Sequence, residues 1–141
     1  MPRVQNLFRA PKKHLPMEEL SEVCAIGDTG FEGCAHARPG RERQVLIVDR
    51  ETLEAMDLRP GIIRENITTD GLNVNSLRIG QQLGIGEARL EVSAVCNPCD
   101  QMEAIRSGLR KELWGRRGML CRVLLGGVIR RGDSIESFPD N

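Results

Sequence analysis

The chain has 141 residues, a length at which a single domain can bury a hydrophobic core without a metal ion or disulfide bonds. Its 20 acidic residues balance its 20 basic residues, so no net field draws it to nucleic acid or to an anionic membrane. No apolar run approaches the roughly 18 residues that span a bilayer, and the N-terminus lacks the hydrophobic segment of a signal peptide. Five cysteines, an odd number, then indicate reduced thiols in a soluble, cytoplasmic protein.

Short segments bounded by glycine and proline dominate the chain, which favours β-structure over a helical bundle. Helical periodicity is confined to residues 50–58 and 98–114. Many short strands with two or three short helices predict a mainly β fold, a closed β-barrel with helical insertions, in one domain over residues 1–141. The strands are expected, in chain order, within residues 43–49, at 65–71 before an Asp-Gly turn, on both sides of 84–87, and within 118–127 and 132–138.

Two cysteines flank an Asn-Pro pair at residues 96–99. Apolar residues alternate along the preceding strand, and this alternation points Cys96 toward the core. Asn97 is a favoured helix N-cap and Pro98 a favoured first helical residue, which places Cys99 second in a helix. The unpaired N–H groups and the dipole at a helix start lower the pKa of a thiol. We therefore expect Cys99 to be the reactive sulfur.

The other cysteines have a plainer interpretation, since a buried cysteine behaves as a small hydrophobic residue. We expect Cys24, Cys96 and Cys121 to be core residues of this kind. A tetrahedral zinc site remains an alternative, because the sequence offers three thiols and one imidazole at two positions close in sequence. Its four ligands would be Cys34, His36, Cys96 and Cys99.

Several segments together resemble the MOSC domain family, named for the C-terminal part of molybdenum-cofactor sulfurase. They follow the family's order and cover most of the chain. The matching segments are GFEGCAH at residues 30–36, RQVLI at 43–47, residues 60–92 beginning PGIIREN, CNPC at 96–99, and residues 115–135 beginning GRRG.

The resemblance implies a barrel-like, mostly β fold and makes Cys99 the functional sulfur. In this family that cysteine is proposed to carry sulfur as a persulfide or to ligate molybdenum. The molybdenum cofactor carries a phosphate on its pterin, for which arginine is a suitable partner. The residues of this chain that match the family's cofactor-binding positions are His36, Arg43, Glu65, Asn66 and Arg116. Fixing the start of a strand remains an alternative role for Glu65 and Asn66.

Three residues depart from the family pattern. Cys34 stands where the family usually has Asp, so a second thiol could bind metal or form a sulfur relay with Cys99. Arg64 stands where a small residue such as Gly is expected. Arg117 takes a position that is commonly Gly and adds charge near the cleft.

The resemblance thus implies a molybdenum-cofactor-associated protein, acting as a sulfur transferase or as a component of a cofactor-dependent oxidoreductase. In the oxidoreductase alternative the chain is a small subunit or partner of a reductase of N-hydroxylated compounds. No room remains in 141 residues for a pyridoxal-phosphate desulfurase domain. The expected partners are therefore a cysteine desulfurase-type sulfur donor or a protein of molybdenum-cofactor biosynthesis or use.

Overall fold

The computed structural model describes residues 1–138 of the chain. Within these residues the chain forms eleven β-strands, three short α-helices and one 3₁₀ turn at Val74–Ser76, which confirms the prediction of a mainly β fold. The elements are β1 Arg3–Arg9, β2 Glu18–Leu20, β3 Glu22–Ile26, β4 Gly30–Phe31, β5 Val45–Asp49, α1 Arg50–Ala55, β6 Ile67–Asp70, β7 Gln82–Ile85, β8 Ala88–Val95, α2 Gln101–Ile105, α3 Leu109–Glu112, β9 Met119–Leu125, β10 Gly127–Arg130 and β11 Ile135–Ser137.

The strands form two open sheets, so the prediction of a closed barrel is wrong. One sheet has eight strands in the order β11-β7-β8-β9-β5-β6-β1-β2, and the other has three in the order β10-β3-β4. The edge strands β2 and β11 have three residues each and carry Glu18, Glu19 and Glu136. Short, charged edge strands resist further pairing. The sequence pattern indicates strands but carries no signal for whether the outermost ones meet.

Two hydrophobic clusters pack on the large sheet. The larger cluster joins residues of the large sheet, such as Val45 and Leu90, to Phe31 and Ile129 of the small sheet. The second cluster packs apolar residues of the helices against other residues of β5 and β9: Leu46, Val48, Leu53, Met102, Leu109, Leu113 and Leu120. All five residues of β5 are buried because the strand is covered on both faces, which explains its continuous apolar run.

Strand β5 continues through α1 into β6, and β5 and β6 pair in parallel. The predicted helix over residues 50–58 is confirmed as α1, although it ends earlier, at Ala55. The helix predicted over residues 98–114 is two short helices, α2 and α3. Gly108 separates these helices and adopts a left-handed backbone conformation, φ +86°, that an α-helix does not continue through.

The first four strands lie in residues 1–42, where the sequence analysis predicted none. Strand β1 escapes a period-two search because its register against β6 shifts between Val4 and Asn6, and the shift interrupts the alternation of buried side chains. The single domain predicted over residues 1–141 extends into residues 139–141, which lie outside the described part of the chain. None of the helices in residues 1–138 is long and apolar enough to cross a membrane.

Candidate functional site

A cleft of about 500 Å³ opens at the junction of four segments. They are the first residues of β5, the segment after Cys34, the connection from β8 to α2, and the turn that precedes β9. Strand β5 is fixed in position at the cleft because its side chains are buried on both faces of the sheet. Val45 packs in the larger cluster on one face, and Leu46 packs in the second cluster on the other. Of the residues predicted to form a site, His36, Arg43, Asn66 and Cys99 line this cleft.

Cys99 is an exposed thiol at the cleft, but it does not belong to a helix. Helix α2 begins at Gln101 with Asp100 as its N-cap, so the predicted placement of Cys99 as the second helical residue is wrong. The backbone N–H of Cys96 donates to the carbonyl of Gly118 at 3.1 Å, which keeps the chain paired with its neighbour beyond the end of β8. This tertiary hydrogen bond overrides the local capping signal, so Cys99 lies before the helix. What distinguishes Cys99 from the buried thiols is therefore its exposure in the cleft, and not a position at a helix start.

Cys96 is buried as predicted, but on a different face from the one expected. The register of β8 against β9 shifts between Val92 and Ala94, so Ser93 is an extra residue in the strand. A one-residue bulge moves every following side chain to the opposite face. Val92 therefore packs in the larger cluster, whereas Ala94 and Cys96 pack in the second cluster, beneath the cleft.

Two further thiols, those of Cys121 and Cys24, lie on strands, one facing the core and the other facing solvent. Cys121 is a core residue as predicted, and burial raises its pKa to about 12. The prediction that Cys24 is buried is wrong, since this residue is exposed on β3. Strand β3 alternates, with Val23 and Ala25 facing the core, so Cys24 must face solvent.

Positive charge surrounds the cleft. Among the described residues that line it, none is Asp or Glu. Because the chain as a whole has no net charge, this concentration of cations is a local feature that favours anionic ligands. The basic side chains and the two imidazoles at the cleft are Lys13, Arg38, Arg43, Arg64, Arg117, His14 and His36.

Arg117, and not Arg116, brings the GRRG segment into the cleft. The Arg117 side chain is buried, with the residue 6% exposed, and its Nη2 donates to the carbonyl of Ile63 at 2.6 Å. Its Nε and Nη1 have no hydrogen-bond partner within residues 1–138. Arg116 is exposed instead and donates to the carbonyl of Glu112 at 3.2 Å. Two nitrogens of this buried guanidinium are thus free to donate to an anion, since buried donors without a partner are costly.

Asn66 links three segments beneath the cleft and is fully buried. Its Oδ1 accepts a hydrogen bond from the backbone of Leu46 at 2.9 Å and lies 3.4 Å from Nδ1 of His36. Its Nδ2 donates to the carbonyl of Phe8 at 3.2 Å and to Sγ of Cys34 at 3.4 Å. An amide is suited to this position because it both donates and accepts.

Cys34 is buried under the lining of the cleft, and its sulfur accepts three hydrogen bonds. The donors are the Asn66 side chain, the backbone of Ala10 at 3.3 Å and the backbone of His36 at 3.4 Å. Burial raises the pKa of the Cys34 thiol, but the hydrogen bonds of His36 and Ala10 together outweigh it and bring the pKa from 9.0 to about 7. The pKa of this thiol thus lies close to neutral at the position where the resemblance led us to expect a carboxylate.

Glu65 is fully buried, and it is not among the residues lining the cleft. Its Oε2 accepts hydrogen bonds from the backbone of Gly61 at 2.8 Å and from the hydroxyl of Thr68 at 2.9 Å. Burial raises the pKa of this carboxyl, against the opposing effects of its hydrogen bonds and of the positive charge of Arg117. The contacts hold the turn that leads into β6, which is the alternative role named for this residue in the sequence analysis.

The described residues do not form the alternative zinc site. Among residues 1–138 no group of three or more His, Cys, Asp or Glu side chains is placed to hold a metal ion. Cys34 directs its sulfur to three N–H donors, as described above. The sequence analysis also missed Lys13, Arg38 and Gln44 at the cleft. Only the basic run at residues 12–14, between two prolines, carries a signal that could have pointed to the first of these.

Comparison with known proteins identifies the family and the fold of the chain. The MOSC domain family matches residues 35–136, and none of the curated proteins has a matching sequence. The crystal structure of the YuaD protein from Bacillus subtilis has a TM-score of 0.86 and 22% identity, covering 100% of this chain and 98% of that one. YiiM from Geobacillus stearothermophilus has a TM-score of 0.80 and 19% identity, with 99% of this chain and 76% of that one covered. YiiM from Escherichia coli has a TM-score of 0.74 and 21% identity, with 99% and 71% covered. At these identities the three structures show a shared fold, and the match over residues 35–136 establishes that the chain belongs to the MOSC domain family.

Proposed function

We propose that this chain is a molybdenum-cofactor-associated protein in which Cys99 either carries sulfur as a persulfide or ligates molybdenum. One observation supports the proposal above the others: an exposed thiol lies in a cleft that is lined by cations and, within residues 1–138, by no carboxylate. A persulfide and a phosphate-bearing cofactor are both anionic near neutral pH. Such a cleft attracts either group.

The residues at the cleft fit the molybdenum cofactor, because they include buried hydrogen-bond donors that have no partner in the described residues. Arg117 keeps two buried nitrogens, Nε and Nη1, without a partner in the described residues, and a phosphate oxygen is a suitable acceptor for their N–H groups. Arg43, on the same cleft, would add a second cation, and Cys99 would supply a thiolate ligand. When bound, the molybdenum would supply two-electron redox chemistry. The roles of the protein are to hold the phosphate, orient the cofactor and present the sulfur.

The sulfur-carrier role needs only the thiolate of Cys99 and a protein persulfide as donor. The thiolate attacks the outer sulfur of the donor persulfide, and a new S–S bond forms on Cys99 while the S–S bond of the donor breaks. The donor leaves as a thiolate, so the transfer consumes no oxidant or reductant. The surrounding arginines and lysine stabilise the anionic persulfide that results.

Mass spectrometry tests this transfer directly. The protein is incubated with a cysteine desulfurase, pyridoxal phosphate and cysteine, and we expect an added mass of one sulfur atom on the peptide containing Cys99. Cys99→Ala should abolish the adduct. Cys24→Ala is the matched control, because Cys24 is also exposed but does not line the cleft. An unmodified wild-type protein, or an adduct that follows Cys24, would contradict the carrier role.

Elemental analysis separates the carrier role from molybdenum ligation. Protein purified from a host that makes the cofactor should contain molybdenum if Cys99 ligates it, and Cys99→Ala should lose the metal. A reductase of N-hydroxylated compounds further requires this bound cofactor and an external electron donor. Metal-free wild-type protein that still forms the persulfide would leave the carrier role alone.

A further inference from the structure

A second cavity of about 480 Å³ lies beside the basic cleft. The two cavities share His14, Arg64 and Gln101 in their linings, so these residues form the partition between them. The second cavity differs in character, since its remaining lining is mostly apolar. The apolar side chains come from residues 15–17, from the turn before β6 and from α2, and they include Leu15, Pro16, Met17, Ile62, Met102 and Ile105.

The partition is built on unusual backbone. His14 and Arg64 both have a φ of +67°, although neither is glycine. Residues other than glycine seldom adopt this left-handed backbone conformation, which costs on the order of 1 kcal/mol per residue and is found preferentially at ligand-binding positions. The guanidinium of Arg64 donates to the carbonyl of Leu15, so the two strained segments hold each other beside the partition. No Asp or Glu among the described residues lines either cavity.

The two cavities complement the two parts of one kind of ligand. The basic cleft offers further cations, such as Lys13 and Arg38, to an anionic group. The second cavity offers apolar surface from Leu15, Met17 and Ile62 directly across the partition. Cavities of several hundred cubic ångströms with apolar walls and a few convergent polar groups are typical small-molecule sites.

We propose that the second cavity is a subsite for the apolar part of an organic anion, such as an aromatic phosphate, whose anionic group binds in the basic cleft. The ligand extends past Arg64, with its ring against Leu15 and Ile62. This inference rests on the proposed function in one respect, because it takes the basic cleft as the place where the anion binds. It adds the substrate class, an anion that carries a ring.

Calorimetric titration with phenyl phosphate and with inorganic phosphate tests the proposal. Both probes carry the same anionic group, and only one carries a ring. Burying one ring face against apolar side chains is expected to make phenyl phosphate bind about tenfold more tightly. Leu15→Asn should remove most of this advantage without changing the affinity for inorganic phosphate, since Leu15 lines only the second cavity. Leu15 is 46% exposed, so this neutral substitution does not endanger folding.

Two further variants complete the design. Ile62→Asn changes a second apolar residue of the cavity lining and should act like Leu15→Asn. Ile79→Asn is the matched control, because Ile79 is 63% exposed and lines neither cavity, and it should leave both affinities unchanged. Equal affinities for the two phosphates in the wild type, or an advantage that survives both cavity variants, would overturn the subsite. Failure of both phosphates to bind would also overturn the subsite. The proposed function is tested independently, by persulfide formation on Cys99.

Discussion

The side-chain amide of Asn66 donates a hydrogen bond to Sγ of Cys34 across 3.4 Å, and the same amide lines the cleft. The contact connects a buried thiol to the surface where Cys99 lies. Since Asn66 also lies 3.4 Å from His36, ionisation of Cys34 is felt by two lining residues. Ionisation of Cys34 would therefore place negative charge beneath an otherwise cationic site.

Ionisation of Cys34 should make stability depend on pH between about 7 and 9. The pKa of this thiol is lowered from 9.0 to about 7 on folding, so the unfolded chain binds more protons in this window and stability rises with pH. The contribution is complete above pH 9 and is lost as the pH falls through 7. Two pKa units correspond to at most about 2–3 kcal/mol. Urea unfolding at several pH values should show this slope, which Cys34→Ala should remove and Cys24→Ala should retain. A slope that is unchanged in Cys34→Ala would contradict the prediction.

Replacing Arg117 by methionine should separate stability from anion binding. The substitution removes a buried charge with two unpartnered nitrogens, so the free energy of unfolding should change by no more than about 1–2 kcal/mol, in either direction. Phosphate affinity, measured by calorimetry, should fall at least tenfold. Arg116→Met is the matched control one residue away, and its exposed side chain should affect neither quantity. Loss of phosphate binding in Arg116→Met alone would reverse the assignment.

The five cysteines should differ in their rates of alkylation. Cys24 and Cys99 are exposed and should react first with iodoacetamide in the native protein. Cys96 and Cys121 are buried and should be protected until urea unfolds the chain. Peptide mass spectrometry over a time course gives the order. If Cys96 were labelled as fast as Cys99, the asymmetry of the 96–99 pair would be refuted.

Gly118 should not tolerate a side chain. Its φ is +112°, and a Cβ there would collide with the carbonyl oxygen of Ile47. We expect Gly118→Ala to cost about 2–4 kcal/mol in the free energy of unfolding, because both the backbone conformation and the approach of β9 to β5 must change. Gly115→Ala controls for conformation alone, since Gly115 has a φ of +80° but nothing within 4 Å, and it should cost about 1 kcal/mol. Equal costs in denaturant unfolding would remove the argument from close approach.

The sequence predicted features that repeat along the chain better than features that depend on pairing. The apolar run at residues 43–49 identified β5 because a strand covered on both faces needs no alternation. Helix α2 begins three residues later than predicted, at Gln101 and not at Pro98, since the hydrogen bond from Cys96 to Gly118 keeps the chain extended. Local sequence also cannot choose between Arg116 and Arg117. That choice is made by the turn into β9, where Gly118 packs against β5 and only the second arginine reaches Ile63.

The positions of the cleft thiols depend on the extra residue in β8. Without Ser93 the strand would keep one alternation, and Cys96 would pack in the larger cluster, away from the basic cleft. A single inserted residue thus divides one strand into two parts with different constraints. The residues before Ser93 are constrained by packing between the two sheets, and those after it by the chemistry of the cleft. Substitutions can accumulate in the first part without moving the sulfur of Cys99, so the reactive end of the strand can be retained while its core end diverges.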